Sequence, residues 1–174
     1  LSTIFDSPLV LYVRGRWRAS LWQDGLALGV VGSRRASIYG EAMSTKLSYA
    51  MANYGFGIVS GLARGIDAAA HQGCLRAKDG YTVAVLGNGL SRVYPPEHKK
   101  LSDQIIERGA LVSELAIATP PHSRNFPARN RIISGLSKGV LVVEAPLKSG
   151  ALITADLALD QGREVFAVPG KIDS

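Results

Sequence analysis

Thr82-Val83-Ala84-Val85-Leu86 is a run of five uncharged, mostly apolar residues, bounded by Tyr81 and by a turn with Gly87 and Gly89. A strand with one face in water alternates apolar and polar residues. A run apolar throughout is buried on both faces, the pattern of a parallel sheet. Val140-Leu141-Val142-Val143 reads the same way. Outward from these runs, strands are predicted over 27–32, 57–60, 82–87, 110–115, 139–145 and 164–168. Helices are predicted over about 38–54, 65–79, 96–108, 127–138 and 151–161. Strand and helix alternate five times, which predicts an α/β fold: a doubly wound, mostly parallel sheet with helices on both faces. Leu9 to Val13 reads as a short strand that stops at Gly15. The chain therefore divides into an N-terminal extension with an edge strand, 1–26, and a doubly wound domain, 27–174.

The 174 residues suffice for one well-buried domain and are too few for two comfortable ones. A formal net charge of +6 favours an anionic partner. Its distribution says more than its total. No acid stands between Glu114 and Glu144, where Arg124, Arg129, Arg131 and Lys138 occur. Arg14, Arg16, Arg18, Arg34 and Arg35 form a second run against Asp24 alone. The single cysteine, Cys74, excludes an internal disulfide framework and fits a reducing cytoplasm. No apolar run approaches the ~20 residues that cross a bilayer, so no membrane association is expected. The chain begins at Leu1 rather than methionine, which reads as a fragment of a longer protein.

In doubly wound sheets ligands bind outside the carboxyl ends of the strands, and the predicted strand ends here are rich in glycine, serine and arginine. Val30-Val31-Gly32-Ser33-Arg34 runs from a strand into a helix that Ser37 is placed to cap. Gly32 permits a tight turn, Ser33 offers a hydroxyl, and Arg34 supplies a donor fork for phosphate. The full G-x-G-x-x-G fingerprint is missing, so no dinucleotide cofactor is implied, and none of any kind is expected. In the second strand-turn-helix, 59–71, Arg64 reads equally as a rim cation or a structural residue. Asp67 there favours the helix dipole or holds Arg64. His71 reads as a packed helix residue; with Cys74, His98 and His122 it completes no metal spacing. Trp17 and Trp22 read as core or edge packing before base-stacking platforms. Lys148, Ser149 and Gly150 open a helix, a ready anion site.

Phe126-Pro127-Ala128-Arg129-Asn130-Arg131 opens another helix with arginines where acids are usual. Ile132, Ile133 and Leu136 anchor that helix by an apolar stripe. No S-x-x-K, H-E-x-x-H or G-K-[ST] occurs, so no catalytic machinery is legible and no enzyme is expected.

Taken together, V-V-G-S-R at 30–34, V-S-G-L-A-R-G-I-D-A-A-A-H at 59–71, Y-P-P-E-H at 94–98, F-P-A-R-N-R-I-I-S-G-L-S at 126–137, then S-G-A-L-I-T-A and G-R-E-V-F-A-V-P-G resemble the central domain of the DNA-processing protein A (DprA/Smf) family. The segments span nearly the whole chain in the family's order. The resemblance implies an extended Rossmann-like fold that binds single-stranded DNA without strong sequence preference. It also implies delivery of that strand to the RecA recombinase in natural transformation of competent cells, and a homodimer. The family's G-S-R arginine falls on Arg34 and its pocket aromatic on Phe126. A basic residue is common three positions before that aromatic, where this chain has Ser123 with Arg124 beside it. Leu115 to Ala118 is poorer in proline and glycine than the family pattern.

The expected site thus comprises Gly32, Ser33, Arg34, Arg64, Arg124, Phe126, Arg129, Asn130, Lys148, Ser149 and Gly150. Arg34, Arg124, Arg129 and the helix starts would hold phosphates, and Phe126 would offer a base its face or else staple its helix to the core. Asn130 bonds a base edge or braces the loop, and Arg131 is structural, paired with Glu114 or Glu144. A rival reading is a nucleotide-binding or nucleotide-cleaving enzyme of the lysine-decarboxylase-like Rossmann group. That group's P-G-G-x-G-T-x-x-E signature is absent, Pro169-Gly170-Lys171 being the nearest approach.

Overall fold

A computed structural model describes residues 1–170. In chain order the elements are β1 (Tyr12–Gly15), α1 (Ser20–Gln23), β2 (Ala27–Val31), α2 (Ile38–Asn53), β3 (Gly57–Ser60), α3 (Ile66–Arg76) and β4 (Thr82–Val85). There follow α4 (Lys99–Arg108), β5 (Ala110–Ser113), α5 (Asn125–Gly135), β6 (Gly139–Val142), α6 (Gly150–Asp160) and β7 (Glu164–Ala167). The seven strands form one sheet in the order β1-β5-β4-β3-β2-β6-β7. All neighbours run parallel except β1, which pairs antiparallel with β5, Tyr12 opposite Ser113. The doubly wound reading holds.

Alternate residues of each central strand supply two cores. Val31, Val59, Val83, Val85 and Val140 pack with Ile132 and Ile133 of α5 and Ala151, Ala155 and Ala158 of α6. Val30 and Ile58 face α3 on the other side, and Ala84 and Leu111 meet Leu101 and Ile105 of α4. Each valine, leucine or isoleucine among them, fully buried, contributes roughly 1.5–3 kcal/mol over its exposed state. α2 and α3 approach closely because their facing residues are small. Ser44 Oγ donates to the Ile66 carbonyl at 2.9 Å and Thr45 Oγ1 to that of Ala69 at 3.4 Å.

Several boundaries differ from expectation. The N-terminal strand lies at 12–15 rather than 9–13, because its position is set by pairing with β5. The single turn α1 was not expected. Pro95 and Pro96 split the fourth helix into a 3₁₀ turn, Pro96–His98, and α4. α5 starts two residues early, at Asn125, which still leaves Pro127 in the first turn, where a missing N–H is harmless.

His71 is fully buried, with Nδ1 2.7 Å from Thr82 Oγ1. Burial is the main cause that pushes its pKa down to about 3. A histidine depressed from about 6.5 stays neutral in the fold but takes a proton in the unfolded chain. Stability should therefore fall below pH ~6.5, by up to about 1.4 kcal/mol per pH unit, until the native group titrates near pH 3. The difference in urea midpoint between wild type and His71→Gln, followed from pH 7 to 4, measures this. A pH-independent difference would show that His71 contributes no such linkage.

Candidate functional site

The strand order reverses beside β2: the chain first proceeds outward to β5, then returns through α5 to lay β6 on the other side of β2. At such a switch point the loops after two neighbouring strands part and leave a crevice. Here the crevice is a cleft of about 900 Å³. One wall is Gly32–Arg35 after β2, another is Glu144, Pro146, Ser149 and Gly150 after β6, and the first turns of α5 and α6 complete it.

The β2 turn is held rigidly. Ser33 N donates to the Glu144 carbonyl at 2.7 Å, the Ser33 hydroxyl accepts from Arg35 N at 3.1 Å, and the Ser33 carbonyl accepts from Ile66 N at 3.2 Å. Gly65, at φ +69°, lets its loop pass against the Ser33–Arg34 backbone, a conformation a side chain would strain. Ser37 caps α2 as expected, accepting from Gly40 N. The Glu144 carboxylate accepts from Ser37 N at 3.1 Å and Ser37 Oγ at 2.6 Å, so this acid in the cleft is spent on a helix start.

Arg34 is exposed, without an ion pair among the described residues, and its guanidinium carbon lies 5.1 Å from the Phe126 ring centre. Phe126 is half-buried. Tyr94 packs on it at 5.5 Å between ring centres, and a Cβ on Gly87 would fall 2.6 Å from its Cδ1. Phe126 thus anchors the start of α5 and also borders the cleft. Tyr94 was missed; the signal was an aromatic in Val93-Tyr94-Pro95-Pro96 just beyond a strand-end turn. Ser149 caps α6, its hydroxyl accepting from Leu152 N, and Ser149 and Gly150 line the cleft.

Arg129 and Asn130 line the floor but are not free rim groups. Arg129 is only 5% exposed. It donates through Nη1 to the carbonyls of Gly61 and Val85 and through Nε to Asn130 Oδ1. Burial lowers its pKa to about 10, opposed by Asp67, so it remains a cation at neutral pH. Asn130 Nδ2 donates to the Gly150 carbonyl at 3.0 Å. Both ends of its amide are committed within the protein, the bracing arrangement. Asp67 holds the β3 loop by accepting from Gly61 N and Ala63 N, not by pairing Arg64, and burial raises its pKa.

Three expected members stand outside the cleft lining. Arg64 pairs with Glu97 at 2.5 Å and lines a smaller adjoining pocket with Arg34, Tyr94 and Phe126. Arg124 and Lys148 are exposed side chains next to the lining residues Ser123 and Ser149. Arg131 is structural, and its partner is Glu114, not Glu144. Two parallel bonds of 2.8 and 2.7 Å join them, with Asp6 on Nε, and these bonds to Glu114 raise the arginine pKa. Among the described residues no cluster of potential metal ligands is present. Lys171, of the rival signature, lies outside the described residues.

The two arginines on the cleft should behave oppositely when removed. Arg129→Ala strips partners from two buried carbonyls and from Asn130, and should cost about 3 kcal/mol or more of stability. Arg34→Ala, at an exposed position, should stay within about 0.5 kcal/mol. Urea unfolding of both variants checks this; equal losses would contradict the division into strut and rim.

The whole chain, residues 1–174, matches the family described as DNA recombination-mediator protein A. Protein Smf of Escherichia coli K12 is 52% identical over 168 residues, which are 96% of this chain and 44% of that protein. The solved structure of DNA processing protein A from Streptococcus pneumoniae superposes with a TM-score of 0.90 at 43% identity, covering 98% of this chain and 59% of that one. Its counterpart from Helicobacter pylori, whose structure was solved to explain its single-stranded DNA binding mode, gives 0.89 at 30%, covering 99% and 77%. The chain spans about half the length of the curated relatives it matches. With a match from end to end and relatives above 40% identity, the chain belongs to the DNA recombination-mediator protein A family.

Proposed function

We propose that the switch-point cleft holds single-stranded DNA by its backbone, and that the chain binds rather than turns over its ligand. The observation that carries this is the unpaired Arg34 fork beside the half-buried Phe126 and Tyr94 rings, on a cleft also bordered by the starts of α5 and α6. Such a set offers charge to phosphates and aromatic surface to a base, while the lining amide of Asn130, a natural reader of base edges, is already committed. Binding of this kind is tolerant of sequence and sensitive to salt. The single-strand binding described for the Helicobacter relative supports the choice of polymer.

Arg124 and Lys148, exposed beside the lining, extend the phosphate track outward from the cleft. Delivery of the strand to RecA, self-association as a homodimer, action in transformation and a cytoplasmic site belong to the same proposal. They rest on membership of the family. The division into an N-terminal extension with an edge strand, 1–26, and a DNA-binding domain, 27–174, belongs to the proposal too, and rests on the regular strand–helix pattern that begins at Ala27. No helix of the described residues is long and apolar enough to cross a membrane. Two buried groups with reactive chemistry are tied up: Cys74 donates to the Tyr81 carbonyl and its pKa is pushed up to about 12, chiefly by burial, and Asp67 holds loop amides.

Single strands should bind more tightly than blunt duplex, because only an unstacked base can reach the Phe126–Tyr94 surface. Arg34→Ala should lower the salt slope of log affinity by about 0.7, one phosphate contact. Phe126→Ala should weaken binding by ~1–3 kcal/mol with the slope unchanged, since stacking releases no counterions. Salt-dependent anisotropy on both variants, with melting curves as a folding control and nucleotide hydrolysis assayed on the same preparation, decides the reading. Equal affinity for duplex and single strand, an unchanged slope in Arg34→Ala, or hydrolysis that disappears with that substitution would overturn it.

A further inference from the structure

At the opposite end of the sheet, where the strands begin, a second basic and aromatic surface is left unused by the cleft. Trp17 and Trp22 are the two tryptophans of the chain. Their rings stack at 5.0 Å with 23° between planes. Trp22 packs against the core under α5 and α6, which fixes the stack. Trp17 is 40% exposed with its inner face covered by Trp22, so its outer face is a flat aromatic platform at the surface.

The arginines on either side of it are held by the backbone. The Arg16 carbonyl accepts from Tyr81 Oη at 2.9 Å, Arg18 N donates to the same oxygen at 3.1 Å, and the Arg18 guanidinium lies 4.8 Å from the Tyr81 ring centre. Lys138 stands close by, against the turn after α1: its Cε is 2.8 Å from where a Cβ on Gly25 would sit. Arg16, Arg18 and Lys138 are exposed, and none has an ion pair among the described residues.

We propose that Arg16, Trp17 and Arg18, with Lys138, form a second contact surface for single-stranded DNA, at the pole of the sheet opposite the cleft. The identity of the polymer rests on the single-strand reading of the cleft. The surface itself joins the two features that sequence-tolerant single-strand binders combine: cations along a ridge and an aromatic face open to a base. A duplex keeps its bases stacked within the helix and has none to lay on Trp17. One strand held at both poles would wrap the edge of the molecule instead of ending at the cleft.

Both tryptophans lie at this surface, so intrinsic emission reports on it and not on the cleft. A single strand of ~6 nucleotides falls near the short end of the ~4–16-nucleotide footprint usual for one binding surface, and one of ~20 exceeds it. The ~20-nucleotide strand should quench tryptophan emission in the wild type and still do so in Arg34→Ala. In Arg16→Ala/Lys138→Ala, both exposed positions, the salt slope for the ~20-nucleotide strand should fall by about 1.4, two contacts at about 0.7 each, and stay unchanged for the ~6-nucleotide strand. Trp17→Leu should weaken the longer strand at least about fivefold, the lower end of one stacked base, with melting as its folding control. Unmoved emission at saturating DNA, or an unchanged slope in the double variant, overturns the proposal. Failure of the cleft reading looks different: Arg34→Ala would leave the ~6-nucleotide affinity intact while emission still responds.

Discussion

The cleft depends on one buried guanidinium. Arg129 enters from α5 and takes the carbonyls at the ends of β3 and β4, through Gly61 and Val85, while its Nε fixes Asn130, which reaches the first residue of α6. Four elements meet through that chain of donors. An apolar side chain of similar size would leave strand-end carbonyls buried without partners, each a loss of about 1–3 kcal/mol. The cost of burying the cation is moderated by Asp67, whose carboxylate, like the guanidinium, crowds the point where a Gly61 Cβ would sit and is itself held by loop amides. The rim is therefore positioned before any ligand arrives, and binding has little loop ordering to overcome.

Charge is sorted by depth. The acids near the cleft are used internally: Glu144 on the start of α2 and Glu114 on Arg131. Arg34 and Arg35, which have no ion pair among the described residues, face outward. A basic surface arises here less from an excess of arginine than from structural employment of the nearby carboxylates. This separates charges that build from charges that bind, which net charge alone cannot do.

The sheet was legible in the sequence because burial on both faces writes unbroken apolar runs, and six strands fall within a few residues of their expected places. β1 was displaced because Leu9-Val10-Leu11 is apolar for reasons other than pairing, and the strand is defined by β5, about a hundred residues away. Gly32, Ser33, Arg34, Phe126, Ser149 and Gly150 converge on the cleft as the strand-end rule requires. Arg129 misled because an arginine in an acid-free run reads as a surface cation. Its spacing held the contrary signal: Arg129, Ile132, Ile133 and Leu136 follow i, i+3, i+4, i+7, a single buried stripe. The partner of Arg64 was hidden by distance, since Glu97 comes near it only through the turn at Pro96–His98.

The late arrival of β6 beside β2 also orders events during synthesis. Leu28 lies opposite Gly139, so the first strand of the parallel sheet waits for more than a hundred further residues before its second edge is paired. Until then a growing chain can assemble β2 to β5 with α2 to α4 on one face, while Val31, Val59, Val83 and Val85 lack the cover of α5 and α6. An unpaired strand edge and an uncovered apolar face both invite association with other chains. The cleft and the completed sheet are made by the same final stretch, so a nascent polypeptide acquires its ligand wall only as it loses its adhesive surface.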